Sequence, residues 1–165
     1  MYKRQIITRS SNNYGPYQHP EKLIPKTIVN AISGTPIPIY GNGMNIRDWL
    51  HVEDHVQALI SILNSGQPGD SFNIASGVEL SNVDIVETIC KELDRLLPES
   101  PHVPHIQLVQ FVADRPGHDS RYALDCSLLK RTVSWQPSVE FSRGIQETVW
   151  WYLRTESWLR PKLGE

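Results

Sequence analysis

The stretch Asp114-Arg115-Pro116-Gly117-His118-Asp119 follows an alternating apolar run over residues 106–112, which predicts a strand. The Pro-Gly pair then turns the chain, because proline presets φ and glycine accepts positive φ at little steric cost. Arg115, His118 and Arg121 are thereby set on or just after a tight loop at a strand end. A forked guanidinium and an imidazole in that position suit an anion such as a pyrophosphate. An exposed polar turn carrying one surface ion pair reads the same way in isolation, so the choice between them falls to the rest of the chain.

With 165 residues the chain is long enough for one domain with its own core. Its 16 basic and 18 acidic residues give a net charge of −2 without a basic stripe, which disfavours a nucleic-acid partner. Apolar residues make up 39% but come in short amphipathic runs, none long enough to cross a bilayer. The basic residues near the start are not followed by an apolar stretch of the secretory type, so a cytoplasmic location is expected. Cys90 and Cys126 have neither zinc nor redox spacing; Cys90 shares a helical face with Val86, Ile89 and Leu93, the place of a small core residue. Residues 98–105 hold three prolines and two histidines and read as a linker with solvated histidines, not as a metal site.

Working along the chain, a short strand is predicted over residues 5–9 and a polar turn over 10–16. A helix is predicted over 22–33, with Ile24, Ile28, Ala31 and Ile32 inward and Gly34 just past its end. Residues 37–40 read as a strand whose prolines suit a sheet edge. The Gly41-Asn42-Gly43 turn leads to a strand over 46–52 and a helix with Val56, Leu59, Ile60 and Leu63 inward. After a strand at 71–74, Ser81 and Asp84 form a capping box that opens a helix running to about residue 97. Ser127 is expected to cap a short helix and Ser142 the last one, on which Ile145, Thr148, Val149 and Tyr152 share a face. Trp150, Trp151 and Trp158 read as packing residues. Short strands separated by helices make the class α/β or α+β.

Four segments taken together go beyond patterning: Ser11-Asn12-Asn13-Tyr14-Gly15-Pro16, Pro38-Ile39-Tyr40-Gly41-Asn42-Gly43, Arg47-Asp48-Trp49-Leu50-His51-Val52-Glu53-Asp54, and the Asp114 loop with Arg121-Tyr122-Ala123 behind it. In this order they resemble the C-terminal half of the nucleotide-sugar branch of the extended short-chain dehydrogenase/reductase family, and the Asp114 loop narrows the likeness to its 4,6-dehydratases. The resemblance implies an α/β unit, the C-terminal part of a Rossmann-type protein and mainly its small substrate-binding domain. It also implies a dTDP-sugar substrate, NAD as cofactor of the full-length enzyme, and a homodimer. By the same likeness Asn12 would touch the sugar nucleotide and Asn13 the NAD side. Lys22 and Leu23 would line the nucleotide channel, and Pro38, Ile39 and Tyr40 would hold the base. Arg47, Asn82, Arg115 and His118 would surround the diphosphate, and Asp114, Pro116 and Gly117 of the same loop would also be substrate-binding. A diphosphate calls for forked, charge-assisted donors and a base for an apolar or aromatic wall, so the chemistry agrees.

Departures from the pattern matter too. Ser76-Gly77 stands where the family has a glycine pair, and His51 where an aromatic is common. No G-x-x-G-x-x-G turn occurs to cradle a dinucleotide, and no tyrosine has a lysine four residues on to serve as the family's acid–base couple. Residues 1–165 are therefore expected to form a single incomplete unit, the nucleotide-sugar-binding half without the NAD-binding half and inactive alone. Its strands at 5–9 and 37–40 are expected at uncovered sheet edges. Two other readings stay open at this point: part of a UDP-sugar epimerase or decarboxylase, and a nucleotide-sugar-binding module without catalysis.

Overall fold

A computed structural model describes residues 5–155. Strand β4 (Ile46–His51) is buried along almost its whole length, and the other elements are arranged about it. Its second half pairs in parallel with β2 (Asn12–Tyr14), Asn12 lying opposite Trp49. Its first half lies between antiparallel β6 (Glu79–Ser81) and parallel β8 (Arg121–Tyr122). Two further parallel pairs complete the strands: β1 (Ile7–Ser10) with β5 (Ser71–Ile74), and β3 (Ile37–Tyr40) with β7 (Val109–Val112). Helices α1 (Leu23–Ser33), α2 (Val52–Ser65), α3 (Asn82–Leu96), α4 (Ser127–Val133) and α5 (Phe141–Arg154) alternate with them. The class is mixed α/β with mainly parallel pairing.

Two cores result, because successive side chains of a strand point to opposite faces. Trp49 packs into the larger core, where α1 gives Ile24, Ile28 and Ala31, α3 gives Ile85, Ile89 and Leu93, and α5 gives Ile145, Val149 and Tyr152. These are the three- and four-residue spacings that put side chains on one helical stripe. Leu50 points the other way, into a smaller core of Ala58, Ile62, Phe72, Ile74, Leu129 and Trp135. Cys90 lies in the larger core as expected, and burial pushes its thiol up to about 12.

Two buried carboxylates tie distant segments together. Asp48 accepts hydrogen bonds from Ser11 Oγ at 2.6 Å, from the Ser76 amide and Oγ at 3.0 and 3.1 Å, and from the Gly77 amide at 2.7 Å. Asp54 accepts from Ser138, through both amide and hydroxyl at 2.9 Å, and from the Val139 amide at 3.0 Å. His51 opens α2: its Nδ1 accepts from the Glu53 amide at 3.4 Å, and its ring meets Tyr14 edge-on at 5.2 Å. Gly15 passes so close that a Cβ there would lie 2.7 Å from Val52 Cγ1, and its φ of +137° is one that few other residues adopt.

Several sequence-based expectations need correction. Residues 12–14, expected within a polar turn, form β2, because Asn12 and Tyr14 find backbone partners on β4. The strand expected over 106–112 begins only at Val109; His105–Leu108 is a 3₁₀ turn. On α2 the inward residues are Ala58 and Ile62, with Leu59 packed against the same core as expected, whereas Val56, Ile60 and Leu63 are exposed, as is Ile32 on α1. Asp125 prepares α4 by accepting from the Ser127 amide and hydroxyl, and Glu140 caps α5 by accepting from Ser142. His105 is fully buried against Asp94 at 2.5 Å, so the linker histidine is a staple to α3 and not a solvated side chain. The Ser81–Asp84 capping box and the inward face of α5 stand as expected. Trp151 packs against the larger core, Trp150 is half-exposed beneath the Arg154 guanidinium, and Trp158 lies outside the described residues. Among those residues β1 and β3 each have a single partner strand, so each leaves an edge open.

Removing the Asp48 carboxylate strands buried amide and hydroxyl donors, so Asp48→Ala is expected to cost about 3 kcal/mol, read as a fall in urea midpoint. Asp48→Asn is also expected to destabilise, because an amide nitrogen would face N–H donors. A second expectation concerns pH. Burial holds both His51 and His55 below the ordinary imidazole range. The unfolded chain then binds protons more readily than the folded one. This contribution is complete above the ordinary imidazole range and is lost as pH falls through it. The urea midpoint should drop between about pH 7.5 and about 5.5, and the double variant His51→Gln, His55→Gln should flatten that slope.

Candidate functional site

Because β3 and β7 run in parallel, the loops after them emerge at the same end, where ligands of α/β folds commonly bind. The Gly41 amide donates to Val112 O at 2.9 Å, which keeps the two loops side by side. A Cβ on Gly41 would stand 3.0 Å from the Asp114 carboxylate, at a φ of +59°. The Asp114 loop is then folded by its own side chains. Asp114 Oδ1 accepts from the Arg115 amide at 2.9 Å and lies 2.7 Å from His118 Nδ1. The His118 hydrogen bond holds the Asp114 carboxyl below the usual carboxylate range. Arg115 lies over the Tyr40 ring, 5.9 Å from its centre, and the His118 ring meets the same ring edge-on at 6.5 Å.

Strand β4 fixes the far end of this loop. Arg47, although buried, makes no ion pair among the described residues: its guanidinium donates to Ile46 O at 2.7 Å and Asp119 O at 2.9 Å. Asn45 Nδ2 also donates to Asp119 O, at 3.1 Å, and Asn45 O accepts from the amide of Asn82, the first residue of α3. Arg121, expected near the anion, is instead taken up by Glu79 in a forked pair with both contacts at 2.6 Å.

These elements enclose a cleft of about 480 Å³. Of the residues expected from the sequence, Asn12 and Asn13 reach it from β2, Lys22 and Leu23 from the start of α1, and Pro38, Ile39 and Tyr40 from β3. Arg47, Asn82, Arg115 and His118 close the other side. Asp114, Pro116 and Gly117 do not line it: the first orients Arg115 and His118, and the other two form the turn, Gly117 at a φ of +70°. The sequence reading missed Gln18, Glu21, Ile24, Lys26 and Trp49. Two of these had a usable signal. Trp49 is two residues from Arg47 and so shares its strand face, and Lys26 is four from Lys22 and so shares its helical face.

A larger and more open groove of about 580 Å³ lies between α3 and α5, beside Trp150 and Arg154. Its Arg95 is already paired with Glu92 at 2.6 Å, and it lacks the convergent cations of the cleft, so chemistry favours the smaller site. Among the described residues no group of three metal-ligating side chains occurs, and no helix is long and apolar enough to cross a membrane.

Residues 2–148 match the family described as GDP-mannose 4,6 dehydratase. The chain is 52% identical over 154 residues to a dTDP-glucose 4,6-dehydratase of Haemophilus influenzae, covering 92% of this chain and 46% of that protein. With its counterpart from Neisseria meningitidis it shares 48% identity, over 93% of this chain and 44% of that one. Among solved structures, the dTDP-glucose 4,6-dehydratase of Streptomyces venezuelae with NAD bound superposes with a TM-score of 0.86 at 39% identity, covering 95% of this chain and 46% of that one. The Bacillus anthracis enzyme in complex with NAD gives 0.81 at 43%, covering 95% and 47%. The chain thus spans a little under half the length of the relatives it matches. A UDP-glucose 4-epimerase of Thermotoga maritima, at 23% identity and a TM-score of 0.77, shares the fold. By sequence and by fold, the chain belongs to the GDP-mannose 4,6 dehydratase family and stands within it beside the dTDP-glucose 4,6-dehydratases.

Proposed function

We propose that this chain is the nucleotide-sugar-binding half of a dTDP-glucose 4,6-dehydratase. One observation carries the reading: Arg47, Arg115 and His118 converge on a cleft whose neighbouring wall is Pro38, Ile39 and Tyr40. Cations and a flat apolar wall side by side fit a nucleoside diphosphate, the first by forked and charge-assisted bonds, the second by contact with a base. The Tyr40 face now met by Arg115 suits the base, and the Arg115 guanidinium beside it can turn to phosphate oxygens.

The dinucleotide does not fit the residues of this chain alone. Asn13 is one candidate contact, whereas a bound dinucleotide needs a glycine-rich turn at a helix N-terminus, which the 165 residues lack. The complete enzyme would convert dTDP-glucose to its 4-keto-6-deoxy product with NAD supplied by a preceding half, would act in the cytoplasm as a homodimer, and would feed the making of rhamnose-type sugars. This chain by itself is expected to bind nucleotide sugar and to be catalytically inactive.

Calorimetric titration of the chain with dTDP tests the assignment. Arg115→Ala is expected to weaken dTDP about ten- to a hundredfold, and the dTDP-sugar equally, since both carry the diphosphate. Arg115→Lys should recover only part, because a point charge cannot replace the fork. Affinity within twofold of the unaltered chain, in a folded Arg115→Ala variant, would show that Arg115 does not hold the diphosphate.

A further inference from the structure

His118 lines the cleft with one edge of its ring already used. Its Nδ1 lies 2.7 Å from Asp114 Oδ1, and the same oxygen accepts from the Arg115 amide at 2.9 Å. An ionised carboxylate can only accept, so Nδ1 must carry a proton and the tautomer is fixed. Nε2, on the opposite edge, takes no hydrogen bond among the described residues, yet it is not one of the buried side-chain atoms left without a partner. Only 4% of the side chain is exposed, and Nε2 belongs to that part. Asp114 does not line the cleft, so the ring edge turned away from it is the one the cleft meets.

The state of Nε2 decides what it can hold. In a neutral ring with Nδ1 protonated, Nε2 is a bare acceptor. Phosphate oxygens are acceptors too, so a diphosphate beside a neutral His118 meets repulsion instead of a bond. Protonated, the same atom is a charge-assisted donor, with the Asp114 carboxylate behind the ring as counter-charge. Arg47, Arg115, Lys22 and Lys26 already line the cleft, so a further positive charge is best tolerated there when a diphosphate brings two negative ones. The other titratable groups about it are Glu21, paired with Lys22 at 2.8 Å, and Tyr40, which meets the His118 ring edge-on.

We infer that nucleotide sugar and proton bind together: His118 meets the diphosphate as an imidazolium, its Nε2 donating to a phosphate oxygen. This rests on the nucleotide-sugar reading above and adds to it the charge state in which the Asp114 loop works. By linkage, a ligand that brings a proton with it binds more tightly as pH falls.

Calorimetric titration with dTDP-glucose tests this, because both of its phosphates are esterified and keep their charge near neutrality, whereas the terminal phosphate of dTDP titrates. The unaltered chain, its fold followed by circular dichroism at each pH, should lose about tenfold in affinity between about pH 6 and about pH 8.5. Buffers of different ionisation enthalpy should show a fraction of a proton taken up per ligand at about pH 7.5. Carboxylates, lysine, arginine and tyrosine change charge outside that range, and imidazole within it. His19, exposed beside Glu21, is a second imidazole close to the cleft, so a variant separates the two. His118→Gln offers an amide donor at every pH; it should bind more weakly at about pH 6 and show neither slope nor proton uptake. Affinity constant within twofold across the range, no proton uptake, or a slope that persists in folded His118→Gln would each overturn the inference. The buffer series needs no variant and decides alone if His118→Gln does not fold. Failure of the unaltered chain to bind dTDP-glucose at any pH would instead remove the nucleotide-sugar reading, and the inference with it.

Discussion

The cleft depends on a carboxylate that never touches it. Asp48 sits in the middle of β4, buried, and gathers Ser11 from just before β2 and Ser76 and Gly77 from just after β5. Strand β2 has three residues, too few to hold a register by pairing alone, and it carries Asn12 and Asn13. Anchoring Ser11 to Asp48 sets where those two asparagines fall. Alternation then does the rest, since fixing Asp48 and Leu50 on one face of β4 turns Arg47 and Trp49 to the other, toward the cleft. Asp54 repeats the device in the first turn of α2, holding the segment that leads to α5 and hence the Tyr152 hydroxyl that pins Gln18.

The charge of the site is a matter of placement, because the chain as a whole carries −2. Lys22, Lys26, Arg47 and Arg115 are concentrated on one cleft with Glu21 as the acid among its lining residues. Arg47 donates to two main-chain carbonyls, Arg115 lies over the face of Tyr40, and His118 meets the carboxylate of Asp114. Among the described residues neither guanidinium is in a forked ion pair, so on the proposed reading a diphosphate would add charge-assisted bonds there. Arg121 shows the contrast: locked in a forked pair with Glu79, it has no such capacity to spare.

Much of this was legible before any coordinates. The helices read from their apolar spacing, the start of α3 from Ser81 and Asp84, and most of the cleft from four short motifs. What stayed hidden has physical causes. Strand β2 is polar and short, so only its pairing with β4 reveals it. Helix α2 is apolar on two sides, and periodicity alone favoured the bulky Val56, Ile60 and Leu63 over Ala58 and Ile62, which actually face the core. The partner of His105 is Asp94, eleven residues back on α3, a distance that no local pattern shows. Asp114, Pro116 and Gly117 belong to the right loop but serve its shape, a difference that depends on where side chains point.

On the proposed reading, the cleft also sets which way round a nucleoside diphosphate would lie. Tyr40, Ile39 and Pro38 give a flat apolar wall with Arg115 and His118 beside it. A base set on that wall would bring its diphosphate to the guanidiniums, whereas a ligand turned round would leave them facing a neutral group and lose the charge-assisted bonds.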